Sequence, residues 1–285
     1  MKVAITGSHG LIGSALSARL AGRGDTVAPV RRDPDGQIDP DALDGVDAVV
    51  HLAGVGIADK RWSDAHKAAV RESRVQGTSL VARTIAAMTP RPALLSASAV
   101  GFYGDRGREP VDEASPPGRG YLAELCVAWE QATAPAVEAG ARVVHLRSGI
   151  VLSPTGGALK KQLPLFRFGV GGRLGSGRQF MSWITLEDEV AAIDFLLHHD
   201  SVSGPVNLTA PQPVTNAEFT AALGRAVHRP AVVPVPAAAL KVVMGSQMVD
   251  EMLLSSANVV PRALERAGYQ FAHPALEEAL TSILG

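Results

Sequence analysis

Along the first half of the chain, short runs of apolar residues alternate with longer stretches in which apolar side chains return every three or four positions. The short runs are KVAIT (2–6), TVAPVR (26–31), DAVVHLAG (47–54), ALLSASAV (93–100) and RVVHLRSGIV (142–151). Between them lie GLIGSALSARLAGRG (10–24), SRVQGTSLVARTIAAM (73–88) and YLAELCVAWEQATAPAVEAG (121–140), whose spacing predicts helices. The strand runs are apolar throughout rather than alternating with polar positions. That pattern suits a parallel sheet covered by helices on both faces. The reading is an α/β fold with a doubly wound parallel (Rossmann) sheet over residues 1–152.

The pattern loosens after residue 152. Residues 153–180 are rich in glycine and show too little periodicity for a sheet core. WITLEDEVAAIDFLLHHD (183–200) predicts a helix behind a Thr cap, with acidic residues in its first turn. From Pro205 onward proline is frequent and the predicted elements are short. VPRALERAGYQF (260–271) places Pro at a helix start and Gly at its end. The domain reading is a nucleotide domain over 1–152 to which 183–204 returns. A smaller C-terminal substrate lobe takes 153–182 and 205–285.

Composition narrows the function. With 46% apolar and 19% charged residues, the 285-residue chain has the composition of a globular protein with a sizeable core. A formal net charge of -1 gives no field for nucleic acid. The single Cys excludes an internal disulfide or a Cys-cluster metal site and fits a reducing compartment. No signal-peptide core opens the chain, and no apolar run reaches the roughly 18 residues of a membrane span. A cytoplasmic protein without nucleic-acid, membrane or metal partners is expected.

The chemistry begins in AITGSHGLIGSAL. Gly7, Gly10 and Gly13 follow a strand and open a helix. Gly7 permits the sharp turn, Gly10 lets backbone approach a diphosphate, and Gly13 lets the helix pack on the sheet with its amide groups facing the anion. Thr6, Gly7, Ser8, Gly10, Leu11, Ile12 and Gly13 are therefore the expected cofactor contacts. At the end of the second strand stand Arg31 and Arg32, ahead of Asp33. Guanidinium groups there accommodate a 2′-phosphate, whereas a carboxylate would bind the 2′-hydroxyl. This favours NADP(H).

With that turn in place, HLAG (51–54), SASAVGFYGD (96–105) and HLRSGIVLSP (145–154) resemble motifs of the extended short-chain dehydrogenase/reductase superfamily, which includes the sugar-nucleotide epimerases. ADKRW (58–62), SRVQGT (73–78), LAELCVAWE (122–130), RQFMSWITLEDEVAAI (178–193) and the stretch from Met252 to Leu280 narrow the resemblance. They are similar to an epimerase-like subgroup that ends in its own short domain of unknown function. The resemblance implies a nucleotide lobe, a small substrate lobe and an active site in the cleft between them. It places Leu52, Ala53 and Gly54 along the cofactor and makes Ser98 the active-site hydroxyl that bonds the reacting carbonyl or alcohol. Arg147 and Ser148 match the segment where the superfamily has Arg-Pro. Many relatives pair as homodimers.

The superfamily's proton-transfer machinery is a Tyr followed four residues later by a Lys. Counting back from Glu130, those positions fall on Leu122 and Cys126. Neither side chain can do that work. Tyr121 is adjacent, but one residue turns about 100° around a helix. No Lys occurs between Lys67 and Lys160. The stand-ins are Tyr103 as proton donor and Lys60 as the source of positive field, with Ser98 completing the catalytic set. Arg61, Trp62, Arg147 and Arg178 are the substrate-binding candidates. For each a plainer reading exists: a solvated loop for Lys60, Arg61 and Arg178, and core packing for Trp62 and Tyr103. Arg74 stands where many relatives carry Asn, either binding an anion or capping a helix face. Cys126 reads as a buried small hydrophobe, His198 and His199 as a helix end, and Glu187, Asp188 and Glu189 as first-turn charges.

Two functions fit these residues. One is an NADP(H)-dependent oxidoreductase or epimerase-like enzyme acting on a small polar metabolite or nucleotide sugar. The other is a catalytically silent NADPH-binding regulatory or scaffold protein.

Overall fold

The structure is a computed structural model that describes residues 1–30, 38 and 40–285, with Pro40 and Asp41 by their backbone alone. Six strands form one sheet: β1 (Lys2–Thr6), β2 (Thr26–Val30), β3 (Ala48–His51), β4 (Ala93–Ala99), β5 (Val143–Ser148) and β6 (Gly204–Leu208). Their order is β6-β5-β4-β3-β1-β2. β1 pairs parallel with both β2 and β3, and β3 pairs parallel with β4. The chain thus leaves β1 toward β2, then returns to build the sheet from β3 in the other direction. Such a reversal opens a crevice at the carboxyl ends of the strands.

The sequence reading of a Rossmann sheet holds, with three differences. β2 is an edge strand in which Val30 alone is buried, not a second interior strand, because its outer side has no strand neighbour among the described residues. Helix α1 (Leu11–Gly22) ends as its pattern predicts, but α2 (Asp64–Ala86) begins nine residues earlier than expected, where Ser63 Oγ accepts the His66 amide at 3.2 Å. The helix expected over 121–140 breaks into α3 (Tyr121–Gln131) and α4 (Ala134–Glu138). Pro135 has no amide to continue the ladder, and Thr133 Oγ1 donates to the Glu130 carbonyl at 2.7 Å.

The chain groups into two compact units. The first comprises Met1–Ala99, Leu125–Arg147 and Val190–Val206; the second comprises Val100–Glu124, Ser148–Glu189 and Asn207–Gly285. Residues 100–124 and 148–152 therefore group with the second unit, whereas the sequence reading kept them with the nucleotide domain. In the first unit Val49, Val81, Ile85, Leu94 and Val143 pack in one buried cluster. Buried Asp194 accepts from Arg19 Nε and Arg23 Nη1, each at 2.8 Å, and so ties the end of α1 to the helix over 186–197.

The second unit contains a helix the sequence did not suggest, α5 (Gly157–Arg167), with Pro164 inside it. Its Leu159, Leu163 and Phe166 return at helical spacing and pack with Phe219, Leu223 and Leu280. Helix α6 (Leu186–Leu197) starts behind the expected Thr185 cap, whose hydroxyl accepts the Asp188 amide at 3.0 Å. Asp188 and Glu189 stand in the first turn as expected, but buried, each 1% exposed. The Asp188 carboxyl accepts from Tyr269 Oη at 3.0 Å, Ala272 N at 2.8 Å and His273 N at 2.9 Å. It thereby fixes the chain that follows a helix over Arg262–Ala267, which ends at Gly268 with φ 84°. Both ends of that helix lie where the Pro-to-Gly pattern puts them.

Removing the Asp188 carboxyl leaves the partly buried Ala272 and His273 amides without their acceptor, each costing about 1–3 kcal/mol, while the Tyr269 phenol keeps the Asp188 backbone carbonyl at 3.1 Å. Asp188→Ala should therefore lose about 2 kcal/mol or more of unfolding free energy in chemical denaturation; a loss below about 1 kcal/mol would contradict this role.

Candidate active site

The glycine turn is built by close backbone approach. Gly7 adopts φ 73°, and a Cβ there would come within 2.9 Å of the Ala53 nitrogen. A Cβ on Gly13 would come within 2.3 Å of the Gly7 carbonyl oxygen. Thr6 joins the same two segments: its Oγ1 lies 2.6 Å from His51 Nδ1 and accepts the Ala53 amide at 3.4 Å. Helix α1 starts at Gly10 with no side chain capping it. The first amides of a helix carry partial positive charge and face outward, so this end suits an anion. Ser8, Leu11 and Ile12 are half-buried beside it.

A cavity of about 400 Å³ opens at the carboxyl ends of β1, β2 and β3. Its walls are Thr6, Val30, Ile38, His51, Ala53, Gly54, Val55, Ser73 and Val81. The sequence singled out Thr6, Ala53 and Gly54. It missed Val30, Ile38 and Val81, because an apolar residue that walls a ring-sized cavity has the same signature as one that fills a core. Leu52, also expected here, is half-buried, and its amide donates to the Thr6 carbonyl at 3.2 Å. Apolar walls beside an uncapped helix end fit the adenosine and diphosphate of a dinucleotide. Arg31 and Arg32 lie outside the described residues.

Ser98 lies near the end of β4 and is 4% exposed. Its Oγ donates to Glu130 Oε1 at 2.7 Å. Arg147 donates to the same carboxylate through Nε to Oε1 and Nη2 to Oε2, both at 2.8 Å. A bidentate pair of this kind is among the strongest and most directional of protein contacts. Arg147, expected to hold substrate, is instead buried and directed at Glu130. The sequence used Glu130 merely as a counting mark; its acceptor role needed the fold to bring residues 98, 130 and 147 together.

On α3, Leu122 is half-buried and Cys126 is buried. Burial first, and then the Glu130 charge, push the Cys126 thiol up to about 12, so it stays neutral at any ordinary pH. Tyr103 corrects the proposed proton donor. It is fully buried, and its hydroxyl donates to Asn207 Oδ1 at 2.7 Å, which makes it a packing residue with a satisfied phenol. Lys60 and Arg61 are exposed in the turn before α2, and Arg178 is exposed in the glycine-rich segment. Trp62 is half-buried, with Nε1 donating to the Ile57 carbonyl at 2.9 Å, so it closes its own loop. His198 and His199 directly follow α6 and bond back to its Asp194 and Phe195 carbonyls.

Comparison with known proteins gives this arrangement a family. The profile of the NAD dependent epimerase/dehydratase family matches residues 3–208, and a domain of unknown function, DUF1731, matches residues 235–283. The chain belongs to the NAD-dependent epimerase/dehydratase family. It is 51% identical to an epimerase family protein of Mycobacterium tuberculosis, over 98% of this chain and 96% of that one. The human epimerase family protein SDR39U1, crystallised with NADPH, superposes with a TM-score of 0.93 at 36% identity, covering 100% of this chain and 99% of that one. A nucleoside-diphosphate sugar epimerase from Corynebacterium glutamicum gives a TM-score of 0.83 at 37% identity, covering all of this chain and 58% of that one.

One buried acid in this epimerase-family chain titrates near physiological pH. Glu189 accepts from Ser148 Oγ at 2.5 Å through Oε1, and its Oε2 has no hydrogen-bond partner among the described residues. Burial raises its carboxyl to about 8, against the smaller opposing effect of Ser148. Ser148, which stands where the superfamily has Pro, thus has a structural partner.

The sign of the resulting pH dependence follows. The folded state keeps a proton on Glu189 that the unfolded chain releases above about pH 4.3. Stability should be greatest at low pH for this group, fall as pH rises toward 8, and level off beyond. In thermal melts Glu189→Gln should flatten that slope, matching wild type near pH 5 and exceeding it at pH 9, with about 2–4 °C gained per kcal/mol. A variant that melts lower than wild type at pH 9 would contradict the assignment.

Proposed function

We propose that this chain binds NADP(H) on the Gly7–Gly13 turn and acts as an epimerase-like oxidoreductase on a small polar metabolite or nucleotide sugar. The observation that carries the catalytic part is the Ser98–Glu130–Arg147 chain of hydrogen bonds. A serine merely filling space in a strand needs no largely enclosed carboxylate held bidentately by a buried arginine. The bound nicotinamide would supply reversible hydride exchange. Ser98 would contribute orientation: with its one proton given to Glu130, its oxygen presents lone pairs and so receives a substrate hydroxyl. Arg147 keeps Glu130 charged and turned toward Ser98. Val30, Ile38 and Val81 would enclose the adenine, the α1 amides the diphosphate, and Arg31 and Arg32 the 2′-phosphate.

The second reading, a silent NADPH-binding protein, has its own support. Leu122, Cys126 and the buried Tyr103 leave the usual proton donor unreplaced among the residues at those positions. Turnover divides the two readings.

Energy transfer from tryptophan to bound nucleotide should show NADPH preferred over NADH by about tenfold or more, the worth of one charge-assisted contact. Arg31→Ala/Arg32→Ala should erase that preference; equal affinities in the wild type would contradict the NADP(H) assignment. In a screen of nucleotide sugars and small carbonyl compounds, Ser98→Ala should lower turnover about 100-fold or more. Turnover untouched by that substitution would remove Ser98 from the mechanism, and its absence from the wild type with every substrate would favour the silent reading.

A further inference from the structure

Charge is unevenly distributed along this chain, and so is exposed apolar surface. Residues 153–186 carry five Lys or Arg and residues 219–249 carry three more, while all 28 Asp and Glu lie outside these two segments. Among the described residues, the most exposed large apolar side chains fall in the same segments: Phe168 at 83%, Val232 at 81%, Val242 at 77% and Val243 at 75%. Both segments belong to the second compact unit. They also run side by side. Arg229 Nε donates to the Arg167 carbonyl at 3.1 Å, the Val235 amide to the Arg173 carbonyl at 2.8 Å, and the Gly175 amide to the Val235 carbonyl at 2.9 Å.

Helix α5 shows how the surface is built. Leu159, Leu163 and Phe166 are buried, while Lys161, Leu165 and Phe168, spaced i, i+4 and i+7, are exposed on another face. The helix is thus apolar on two sides, and nothing in the second unit covers the outer one. Beside its carboxyl end a shallow groove of about 610 Å³ is walled by Arg225, His228, Arg229 and Val232 among others. The helix over Ala237–Met244 has no buried residue at all. Arg225 and Lys241 are each paired with an acid from beyond the two segments, Glu277 and Asp250, which leaves the segments strongly positive. Single exposed apolar side chains need no explanation, but a set carried on adjoining backbone and framed by cations does.

We propose that this surface of the second unit docks on an anionic lipid membrane, with Leu165, Phe168 and Val232 entering the interface and the neighbouring Lys and Arg meeting the head groups. No described helix is long and apolar enough to cross a membrane, so the contact is peripheral. The sequence expectation of no membrane partner weighed spanning segments alone, and a peripheral contact needs none. Protruding side chains find room in a deformable lipid interface, whereas a folded partner needs a matching pocket for each. An anionic leaflet is negative throughout and so complements segments that carry cations and no acid. A second copy fits less well, because a two-fold contact through this surface would oppose its cations to one another. The proposal does not depend on the nucleotide reading.

The test is co-sedimentation of the full chain with vesicles of phosphatidylcholine alone and of phosphatidylcholine mixed with phosphatidylglycerol. Binding should appear with the mixed vesicles only and weaken as salt is added, because salt screens the attraction. Phe168→Ser/Val232→Ser should lower the partition coefficient about tenfold or more, since each change removes most of a large apolar side chain. Lys160→Gln/Lys161→Gln should lower it about 25-fold, at roughly fivefold for each cation. All four positions are exposed, so thermal melts of both variants should match wild type. Should the apolar variant fail to fold, Phe168→Ser alone gives the same readout. No sedimentation with either vesicle would overturn the proposal, as would equal binding to neutral vesicles or binding that neither variant weakens. A dimer in vesicle-free solution that Phe168→Ser/Val232→Ser dissociates would assign the surface to a second copy instead and overturn it too.

Discussion

The site depends on how closely two stretches of backbone approach one another. The turn after β1 lies so near the loop after β3 that Gly7 has no room for a methyl group against Ala53, and Gly13 has none against the Gly7 carbonyl. Thr6 stitches the same two segments through His51 and the Ala53 amide. This contact decides where α1 begins and leaves its first amides uncapped beside the apolar cavity. Any side chain at position 13 would push the helix from the sheet and the anion seat would go with it.

The molecule encloses several acids and treats each differently. Glu130 is neutralised by Arg147 and occupied by Ser98. Asp188 is surrounded by donors from the C-terminal chain, and Asp194 is held by two arginines. Glu189 has one hydroxyl and no cation, and there burial wins over hydrogen bonding, so the carboxyl keeps its proton. The first three hold elements in place. In the epimerase-like reading Glu130 does more: by claiming the Ser98 proton it turns that hydroxyl into an acceptor.

Much of this was legible in the sequence, and the rest was hidden for identifiable reasons. Continuous apolar runs gave the parallel sheet, and three glycines at fixed spacing gave the nucleotide turn. Edge and interior strands share the same apolar composition, so β2 was misplaced inward. Helix α5 was hidden by flanking glycines and Pro164, although Leu159, Leu163 and Phe166 kept helical spacing. Glu187, Asp188 and Glu189 read as one charged turn, yet burial separates their fates. Glu130 and Arg74 acquire meaning from partners far away in the chain, Ser98 and Trp129, which local pattern cannot supply. Tyr103 matched a chemical need by residue type alone, and its bond to Asn207 removed it.

The family provides the nucleotide seat, and this chain departs from the family's resemblance at the two positions that usually move the proton. In the epimerase-like reading proposed above, Ser98 with Glu130 behind it takes the central place. The most direct test of the whole account is amide-resolved NMR of the protein titrated with NADPH. The account predicts that the amides of Leu11, Ile12 and Gly13 shift most strongly, together with Ala53 and Gly54. Saturable binding that leaves those amides unmoved while others respond would contradict it.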